Sequence, residues 1–254
     1  MTIWVVIVPV KPLAAAKSRL AHPDRAALAL AMAQDTVAAA SSVGRGTVEA
    51  VMVVTNDDVT RAGMAALSGP DAAEEAPTGG IPPGGGTASG GTTGRAGRGR
   101  IVVIPDAPDT GLNAALAHGA TVAARRWPGA GVAALSADLA ALRPAQLHAA
   151  LLAMPAGGRG LVADADGTGT VLLAAAAGTP LAPRFGPASR AAHIRSGARD
   201  LTAPLGESVR GLRRDVDTID HLREAVGLGV GPRTRHVLST GPLSTGSRPL
   251  PAGR

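Results

Sequence analysis

The sequence predicts an α/β fold in which most strands of the central sheet run parallel. Short apolar runs rich in β-branched residues recur along the chain, clearest at Ile3 to Val8, Val48 to Thr55 and Ile101 to Ile104. Such runs are typical of strands buried on both faces of a sheet. Segments with helical hydrophobic spacing separate them, and the connections are short. Alternating strands and helices of this kind imply βαβ units with right-handed crossovers.

The remaining elements follow from the same patterns. Helices are predicted over residues 24–41, 59–67, 112–126, 143–154 and 218–227. Further strands are predicted over residues 131–136, 161–163, 171–175 and 212–216. Asp24 is available as an N-cap for the first helix. The two short strands between residues 161 and 175 have no helix between them, so we expect a mixed edge of the sheet there.

Two segments differ in composition from the rest and set the domain boundaries. Residues 69–100 are rich in Gly, Pro, Ser and Thr and lack hydrophobic periodicity, which predicts a disordered surface insertion. Residues 230–254 are rich in Gly, Pro and Arg and predict a disordered C-terminal tail. We therefore expect a single domain over residues 1–229 that carries this insertion.

Composition excludes several classes of function. The net charge is +6 with a sequence pI of about 11.2, but aromatic residues make up only 1% of the chain. Stacking platforms for single-stranded nucleic acid are therefore absent, and we expect a solvated, arginine-rich surface without a nucleic-acid partner. The absence of Cys excludes thiolate chemistry. No signal peptide or membrane-length apolar run is present, so we expect a cytoplasmic protein with no membrane partner.

The loop after the first strand contains both lysines of the chain, Lys11 and Lys17. Pro9 and Pro12 exclude strand pairing and helix here, so the chain leaves the sheet as a loop. The sequence otherwise uses arginine for its positive charges, and a compact ammonium group is not interchangeable with a planar guanidinium. We infer that this loop binds phosphates; the alternative is that both lysines occur here by chance.

Polar side chains also follow other predicted strands. The only two asparagines, Asn56 and Asn113, each stand just past a strand, and Asp138 directly follows the strand at residues 131–136. In open parallel sheets the ligand crevice lies beyond the carboxyl ends of the strands. Asparagine also suits turns regardless of ligand, so for Asn56 and Asn113 both interpretations stay open.

A pair of acidic residues near the C-terminus is a candidate metal site. If residues 212–216 form a strand, Asp215 and Asp217 point to the same side and can share one ion. Carboxylate oxygens suit Mg²⁺, and lysines with Mg²⁺ are the apparatus of phosphoryl or nucleotidyl transfer. The alternative is surface ion pairing with nearby arginines. Those arginines are Arg213, Arg214 and Arg223.

A second candidate anion site lies near the only phenylalanine. Gly186 followed by Pro187 predicts a helix that begins at Pro187, and a helix N-terminus favours an anionic guest. His193 in this helix is interpreted as a surface residue rather than a phosphate contact. The sequence has neither a GxSxG nor an HExxH motif, which argues against nucleophilic and zinc-protease chemistry.

Seven segments in order resemble the phosphoenolpyruvate / 2-phospho-L-lactate guanylyltransferases of coenzyme F420 biosynthesis. They are PVKPLAAAKSRLA, VVTND, GLNAAL, ADLAAL, GTGTVLL, FGPAS and GLRRDVDT, and they cover about residues 3–226. The resemblance implies a three-layer α/β/α, Rossmann-like fold similar to that of nucleotide-diphospho-sugar transferases. It also implies transfer of GMP from GTP to phosphoenolpyruvate, with Mg²⁺ as cofactor and pyrophosphate as product. We expect a monomer or homodimer.

The resemblance also assigns roles to residues. Those implied as metal ligands are Asp138, Asp215 and Asp217. Those implied at the GTP site are Lys11, Lys17 and Arg19, and we add Asn113 to this site because it stands just past a predicted strand. Those implied at the acceptor site are Thr170, Gly186 and Ser189. Catalysis would depend on Lys17, Asp138 and Asp217.

The chain departs from the family pattern near two of these residues. The family usually has prolines on both sides of the aspartate that corresponds to Asp138, whereas this chain has Ser136 and Ala140. Asp109 stands where a glycine is common. We expect these changes to affect the catalytic rate rather than the reaction class.

Three alternatives stay open. The acceptor can instead be 2-phospho-L-lactate. A molybdopterin-type nucleotidyltransferase is a second possibility, although such enzymes normally open with a Gly-rich loop, and PVKPLAAAKSRL has no glycine. A non-catalytic nucleotide-binding protein is the third.

Overall fold

The computed structural model describes residues 2–13, 20, 22–67, 97–107 and 109–240. The strands are β1 (Trp4–Pro9), β2 (Val48–Val54), β3 (Arg100–Ile104), β4 (Gly131–Leu135), β5 (Arg159–Ala163), β6 (Thr170–Ala175) and β7 (Ala198–Asp200). The longer helices are α1 (Arg25–Ser41), α2 (Asp58–Ala65), α3 (Leu112–Arg126), α4 (Pro144–Leu152), α5 (Ser189–Arg195), α8 (Ile219–Leu228) and α9 (Pro232–Thr240). Two four-residue helices, α6 (Thr202–Leu205) and α7 (Arg210–Arg213), flank a 3₁₀ turn over Gly206–Val209.

The strands form one mixed sheet in the order β3-β2-β1-β4-β6-β5-β7. Strand β1 pairs in parallel with β2 and β4, β2 with β3, and β5 with β7. Only β6 runs against its neighbours β4 and β5 within this sheet. The predicted α/β class, with a mostly parallel sheet and a mixed edge at residues 161–175, is confirmed.

Helices cover both faces of the sheet, as the alternation along β1 shows. Trp4, Val6 and Val8 belong to a hydrophobic cluster that includes residues of α1 and α4. Val5 and Ile7 belong to a second cluster with residues of α3 on the opposite face. Because both faces of β1 are buried, its sequence is continuously apolar rather than alternating. The fold is therefore three layers, α/β/α.

The predicted strand over residues 212–216 is wrong. Helix α7 ends at Arg213, and an irregular connection leads from there to α8. The sheet position beside β5 is taken by β7, which is only three residues long and gave no recognisable sequence signal. Burial nevertheless alternates in the connection, because Arg214 and Val216 are buried while Asp215 and Asp217 are partly exposed.

The prediction of a disordered tail from residue 230 is wrong as far as residue 240. Helix α9 packs against α1, and the Asp35 carboxylate accepts hydrogen bonds from the amides of Arg233 and Thr234 at 3.2 and 2.8 Å. Val237 and Leu238 pack against the hydrophobic cluster beneath it. Residues 241–254 of the predicted tail lie outside the described residues.

Three other boundaries differ from the predictions. The insertion ends earlier than residue 100, because the Gly99 amide bonds the Ser41 carbonyl at 2.8 Å and β3 begins at Arg100; its residues 69–96 lie outside the described part. Asp24 precedes α1 but makes no side-chain capping bond. Helix α5 begins at Ser189 rather than Pro187, since Ala188 takes a left-handed conformation with φ of 53°.

None of the described helices combines the length and apolar composition needed to span a bilayer.

Candidate active site beyond the carboxyl ends of the strands

Asp138 lies at the carboxyl end of β4, three residues after the strand ends at Leu135. The Ser136 amide donates to the Val171 carbonyl at 2.9 Å and extends the pairing with β6. The Thr36 hydroxyl on α1 lies 3.1 Å from the Ala137 carbonyl oxygen and 3.2 Å from the Leu139 amide. Both peptide groups next to Asp138 are therefore held by one side chain.

A second carboxylate, Asp164, follows β5 and was not predicted as a site residue. Its two oxygens accept hydrogen bonds from the amides of Thr168 and Gly169 at 2.9 and 2.7 Å. A side chain at Gly169 would collide with this carboxylate unless the carboxylate moved, so glycine allows the close approach seen here. The available signal was the tight, Gly-containing turn in the sequence, in which Asp is a common first residue because it bonds backbone amides.

The connection that carries Asp215 and Asp217 is fixed between these two regions. The Arg213 guanidinium donates to the Asp164 carbonyl at 2.8 Å, and the Arg213 carbonyl accepts from the Ala165 amide at 2.8 Å. Val216 is fully buried in a cluster with Ala140 and Ala141, which lie in the loop after β4 (residues 136–142, the Asp138 loop). The connection is thus tied to both β4 and β5.

Electrostatics shows that the four aspartates share one region. Burial raises the pKa of Asp215, and the negative charges of Asp138, Asp217 and Asp164 raise it further, to about 7. A carboxyl group shifts this far when several like charges surround it in a partly desolvated site. The structure therefore brings together the three carboxylates predicted from the sequence and adds Asp164.

This region fits a hard cation by the chemistry of its side chains, although not as a site of three protein ligands. Carboxylate oxygens are the ligands that Mg²⁺ takes in proteins, and a dication offsets repulsion between like charges. Across the described ranges, however, no three His, Asp or Glu side chains lie close enough together to hold a metal ion. Mg²⁺ is usually held by one or two carboxylates together with substrate phosphates, so a smaller set of these aspartates would suffice beside a bound nucleotide.

The three arginines proposed as alternative partners of Asp215 and Asp217 have contacts elsewhere. Arg213 binds backbone carbonyls, as described above. Arg214 pairs with Asp166 at 3.4 Å and with Glu224 at 3.0 Å. Arg223 pairs with Asp220 at 2.7 Å. Each guanidinium therefore has a structural role in the turns and helices around the aspartates.

Thr170, at the start of β6, contacts a buried histidine. Its hydroxyl lies 3.0 Å from Nδ1 of His193, whose Nε2 accepts the Arg184 amide at 2.8 Å. Since Nε2 is an acceptor, we assign the ring proton to Nδ1, which donates to Thr170. Burial, followed by the charges of Arg159 and Arg184, lowers the pKa of His193 to about 4. The interpretation of His193 as a surface residue is wrong, because the ring is fully buried.

Asn113 holds the loop before α5. Its side-chain amide donates to the Phe185 carbonyl at 2.9 Å and accepts from the Phe185 amide at 2.8 Å. The Phe185 ring meets the His193 ring edge-on, with centroids 5.0 Å apart. Gly186 has φ of 138°, and its carbonyl accepts the Ser189 amide at 3.1 Å. The loop is thus fixed by α3 on one side and α5 on the other.

The predicted acceptor residues therefore surround one loop, and this loop contacts the aspartate region. Thr170 bonds His193 within α5, and Ser189 is buried at the start of the same helix. The amide of Arg190 donates to the Thr168 carbonyl at 3.2 Å, within the turn that Asp164 holds. The turn after β5 connects the two parts of the site.

The lysine loop is only partly described. Lys11 is exposed just after β1, whereas Lys17 and Arg19 lie outside the described residues. Leu20, which follows Arg19, is buried in the same cluster as Val216, between Asp215 and Asp217 in sequence. The chain therefore returns to the aspartate region directly after the predicted phosphate-binding segment.

Two polar residues near Lys11 have structural roles. Hydrogen bonds from the amides of Thr60 and Leu13, at 2.7 and 3.2 Å, outweigh burial and lower the pKa of Asp57. Asn56 pairs with the backbone of Asp106 through both polar groups of its amide, at 2.9 and 3.0 Å. Turn chemistry, rather than ligand binding, explains Asn56.

An apolar groove elsewhere in the fold is separate from this site. It runs between α3 and residues 176–183 and reaches Ala130 and Val132 at the amino end of β4. Asp138 lies past the opposite end of the same strand. The groove therefore contributes no residue to the aspartate region.

Curated relatives decide the family, although no family model matches the chain. The phosphoenolpyruvate guanylyltransferase of Frankia casuarinae is 50% identical over 243 residues, which cover 94% of this chain and 77% of the relative. That of Streptomyces scabiei is 48% identical over 235 residues, covering 91% and 94%. The chain belongs to the phosphoenolpyruvate guanylyltransferase family. The resemblance predicted from seven short segments is thereby confirmed.

The enzyme class and fold agree with this family. The phosphoenolpyruvate guanylyltransferase of Salinispora arenicola is 46% identical over 250 residues, covering 96% of this chain and 97% of the relative. Membership in the phosphoenolpyruvate guanylyltransferase family makes the chain a nucleotidyltransferase that uses a nucleotide co-substrate. A nucleotidyl transferase from Methanothermobacter shares its fold, with a TM-score of 0.50 and 18% identity over 89% of this chain and 97% of that one.

Proposed function

We propose that the protein transfers GMP from GTP to phosphoenolpyruvate, as the names of its relatives indicate for them. A phosphate oxygen of phosphoenolpyruvate attacks the α-phosphorus of GTP. The bond from that phosphorus to the oxygen bridging to the β-phosphate breaks, and pyrophosphate leaves with the electron pair. The product joins guanosine and enolpyruvate through a diphosphate, which would serve coenzyme F420 biosynthesis.

The observation that carries the proposal is the group of aspartates around Asp215. Burial, and then repulsion from the other three carboxylates at this edge of the sheet, raises the pKa of Asp215. Such repulsion is characteristic of sites that take a cation. We propose that Asp138, Asp215 and Asp217 hold Mg²⁺, which would neutralise charge on the phosphates.

The phosphates of GTP would lie between this region and the lysine loop. Lys11 is exposed after β1, and Leu20 returns the chain beside Val216. We propose that Lys11, Lys17 and Arg19 contact the triphosphate from that side. Ammonium groups act here as point charges, while the guanidinium of Arg19 offers paired donors.

Phosphoenolpyruvate would bind at the loop before α5 (residues 184–188, the acceptor loop), at Thr170, Gly186 and Ser189. Because His193 donates to the Thr170 hydroxyl, the hydroxyl proton itself is free to point to an anionic oxygen. Asn113 was predicted at the nucleotide site. Since both polar groups of its amide bind Phe185, we propose instead that it positions the acceptor loop.

This arrangement requires little proton transfer. The attacking oxygen of phosphoenolpyruvate is already ionised at neutral pH, so no general base is needed. What the protein supplies is orientation of two anions and compensation of their charge, which is the main part of catalysis in phosphoryl transfer. These substrates would place the reaction in the cytoplasm, with a monomer or homodimer as the working unit.

Pyrophosphate release over a panel of substrates tests the proposal. Purified protein with Mg²⁺ is given each of four nucleoside triphosphates with phosphoenolpyruvate, 2-phospho-L-lactate or 3-phosphoglycerate. We expect release only with GTP, and fastest with phosphoenolpyruvate. Preference for 2-phospho-L-lactate would establish the alternative acceptor, and GTP binding without turnover would indicate a non-catalytic nucleotide-binding protein.

Variants test the role of the aspartates separately from the substrate. Asp217→Asn is expected to abolish pyrophosphate release while leaving the circular dichroism spectrum unchanged. The matched control is Asp220→Asn, three residues further along, whose exposed carboxylate pairs with Arg223. Equal activity in Asp217→Asn and Asp220→Asn would remove Asp217 from the metal site.

A further inference from the structure

Thr36 lies in the middle of α1 and is fully buried. Its hydroxyl is 2.9 Å from the Met32 carbonyl oxygen, one turn earlier in the helix. The same oxygen is 3.1 Å from the Ala137 carbonyl and 3.2 Å from the Leu139 amide. The hydroxyl therefore accepts from Leu139 and shares its single proton between two carbonyl oxygens.

The two long-range contacts of Thr36 enclose Asp138. Ala137 and Leu139 are its immediate neighbours, so both peptide groups that set the direction of its side chain are bound by one hydroxyl. No proline restricts the segment from Ser136 to Ala140. Because the hydroxyl is inaccessible to water, loss of these bonds would leave buried peptide groups unsatisfied.

The helix that carries Thr36 is itself fixed against this loop. The carboxylate of Asp35, the preceding residue, binds the first amides of α9. The amide of Gly231, just before α9, donates to the Ala140 carbonyl at 2.8 Å. Helices α1 and α9 thus hold the Asp138 loop from two sides. If Thr36 acted only within α1, these contacts with the loop would not be needed.

We propose that Thr36 is a positioning residue, which sets the direction of the Asp138 carboxylate toward the cation and the phosphates of GTP. This inference rests on the proposed role of Asp138. Residues that orient metal ligands typically change metal affinity or activity by about 10- to 100-fold when they are removed. Thr36 touches no substrate, so its removal affects turnover and metal affinity more than acceptor binding.

Thr36→Val tests the proposal, because valine has nearly the same shape without the hydroxyl. Thr36→Ser keeps the hydroxyl. The matched control is Thr234→Val in α9, a fully buried threonine whose hydroxyl has no hydrogen-bond partner within the described residues. The measurements are kcat and KM for phosphoenolpyruvate, Mn²⁺ affinity by calorimetry, and amide exchange of the peptide over residues 136–142 by mass spectrometry.

In Thr36→Val we expect kcat and Mn²⁺ affinity each to fall by about 10- to 100-fold. We expect KM for phosphoenolpyruvate to stay close to that of the unmodified protein, and exchange in residues 136–142 to accelerate. Thr36→Ser should recover most of the loss. Thr234→Val should match the unmodified protein in all four measurements.

Equal behaviour of Thr36→Val and Thr234→Val would overturn the inference, as would an equal loss in Thr36→Ser and Thr36→Val. A failure of the proposed function is distinguishable from both. If the unmodified protein makes no pyrophosphate, but Thr36→Val still weakens Mn²⁺ binding and accelerates exchange, the positioning of Asp138 stands and the assigned reaction does not.

Discussion

The aspartate region and the acceptor loop belong to one candidate site but differ in how their buried ionisable groups are shifted. Around Asp215, burial and three like charges raise the pKa of a carboxyl group to about 7. At the acceptor loop, burial and two arginines keep His193 neutral, and hydrogen bonds occupy both its nitrogens. We expect a bound cation to stabilise the first region. In the second, the polar groups of His193 are already hydrogen-bonded, so it would present a preformed surface to the proposed acceptor.

The largest expected effect comes from removing charge at the aspartate region. Asp215→Asn should abolish transfer yet stabilise the metal-free protein at pH 8, by on the order of 3 kcal/mol. The folded pKa lies above the unfolded value, so the native state binds more protons between about pH 4 and 7. The contribution of Asp215 to stability therefore falls as pH rises through that range, and the difference between Asp215→Asn and the unmodified protein isolates it. Urea unfolding with a chelator, at pH 5 and pH 8, measures this.

The same experiment has an internal control. Addition of Mg²⁺ should raise the stability of the unmodified protein at pH 8 but leave Asp215→Asn nearly unchanged. If Asp215→Asn is less stable than the unmodified protein at pH 8 in the presence of a chelator, the charge repulsion inferred for this region is absent.

The next effect concerns the acceptor loop at low pH. His193 has a folded pKa of about 4, below its usual value of 6.5, so protonation favours the unfolded state. The contribution of His193 to stability should therefore fall by roughly 3 kcal/mol as pH drops from about 6.5 toward 4, which is opposite in sign to the contribution of Asp215. Urea unfolding of the unmodified protein and of His193→Gln over this range measures the loss.

His193→Gln should be less stable than the unmodified protein at pH 7, and this difference should shrink on acidification, because the variant has no imidazole to protonate there. His236→Gln, at an exposed position of α9, serves as control and should keep the full pH dependence. An equally steep acid dependence in His193→Gln would assign the effect to other groups.

A smaller effect should separate the two halves of the site. Asn113→Asp keeps the oxygen that accepts from the Phe185 amide but replaces the donor with a second oxygen facing the Phe185 carbonyl. We expect KM for phosphoenolpyruvate to rise about tenfold, from a loss of 1–2 kcal/mol in holding the loop, with KM for GTP little changed. Steady-state kinetics with each substrate varied decides this. A rise confined to GTP would restore Asn113 to the nucleotide site, as first predicted.

The two regions also differ in how far the sequence predicts them. Asp138 was predictable because it follows a recognisable apolar strand, and parallel strands deliver such residues to one edge. Asp215 and Asp217 were placed on a strand that does not exist, although the alternation of buried and exposed side chains there is real. The predicted strand and the irregular connection in the structure both place the two carboxylates on the same side. The prediction that they act together therefore did not depend on the strand.

Long-range polar contacts were the part that the sequence did not predict. His193 has the local pattern of a surface helix, and only contacts with Thr170 and Arg184, 23 and 9 residues away, show that it is buried. Thr36 is one of several polar residues in an Ala-rich helix, and its partner Leu139 is 103 residues away. Such bonds depend on how helices pack on the sheet, which composition and periodicity do not encode.

The smallest expected effect compares two aspartates at helix N-termini. Sequence patterns favoured Asp24 as a cap for α1, but its side chain makes no capping bond. Asp35 instead binds two amides at the start of α9, from a position inside α1. We expect Asp35→Asn to destabilise the protein by about 1–2 kcal/mol and Asp24→Asn by close to zero, as measured by urea unfolding at pH 7.

The loss of stability in Asp35→Asn should appear with kcat largely retained, because Thr36 still holds the Asp138 loop. Equal stability of the two variants would mean that α9 does not depend on Asp35. A large loss of kcat in Asp35→Asn would mean that the capping of α9 controls Asp138, and that the hydroxyl of Thr36 does not.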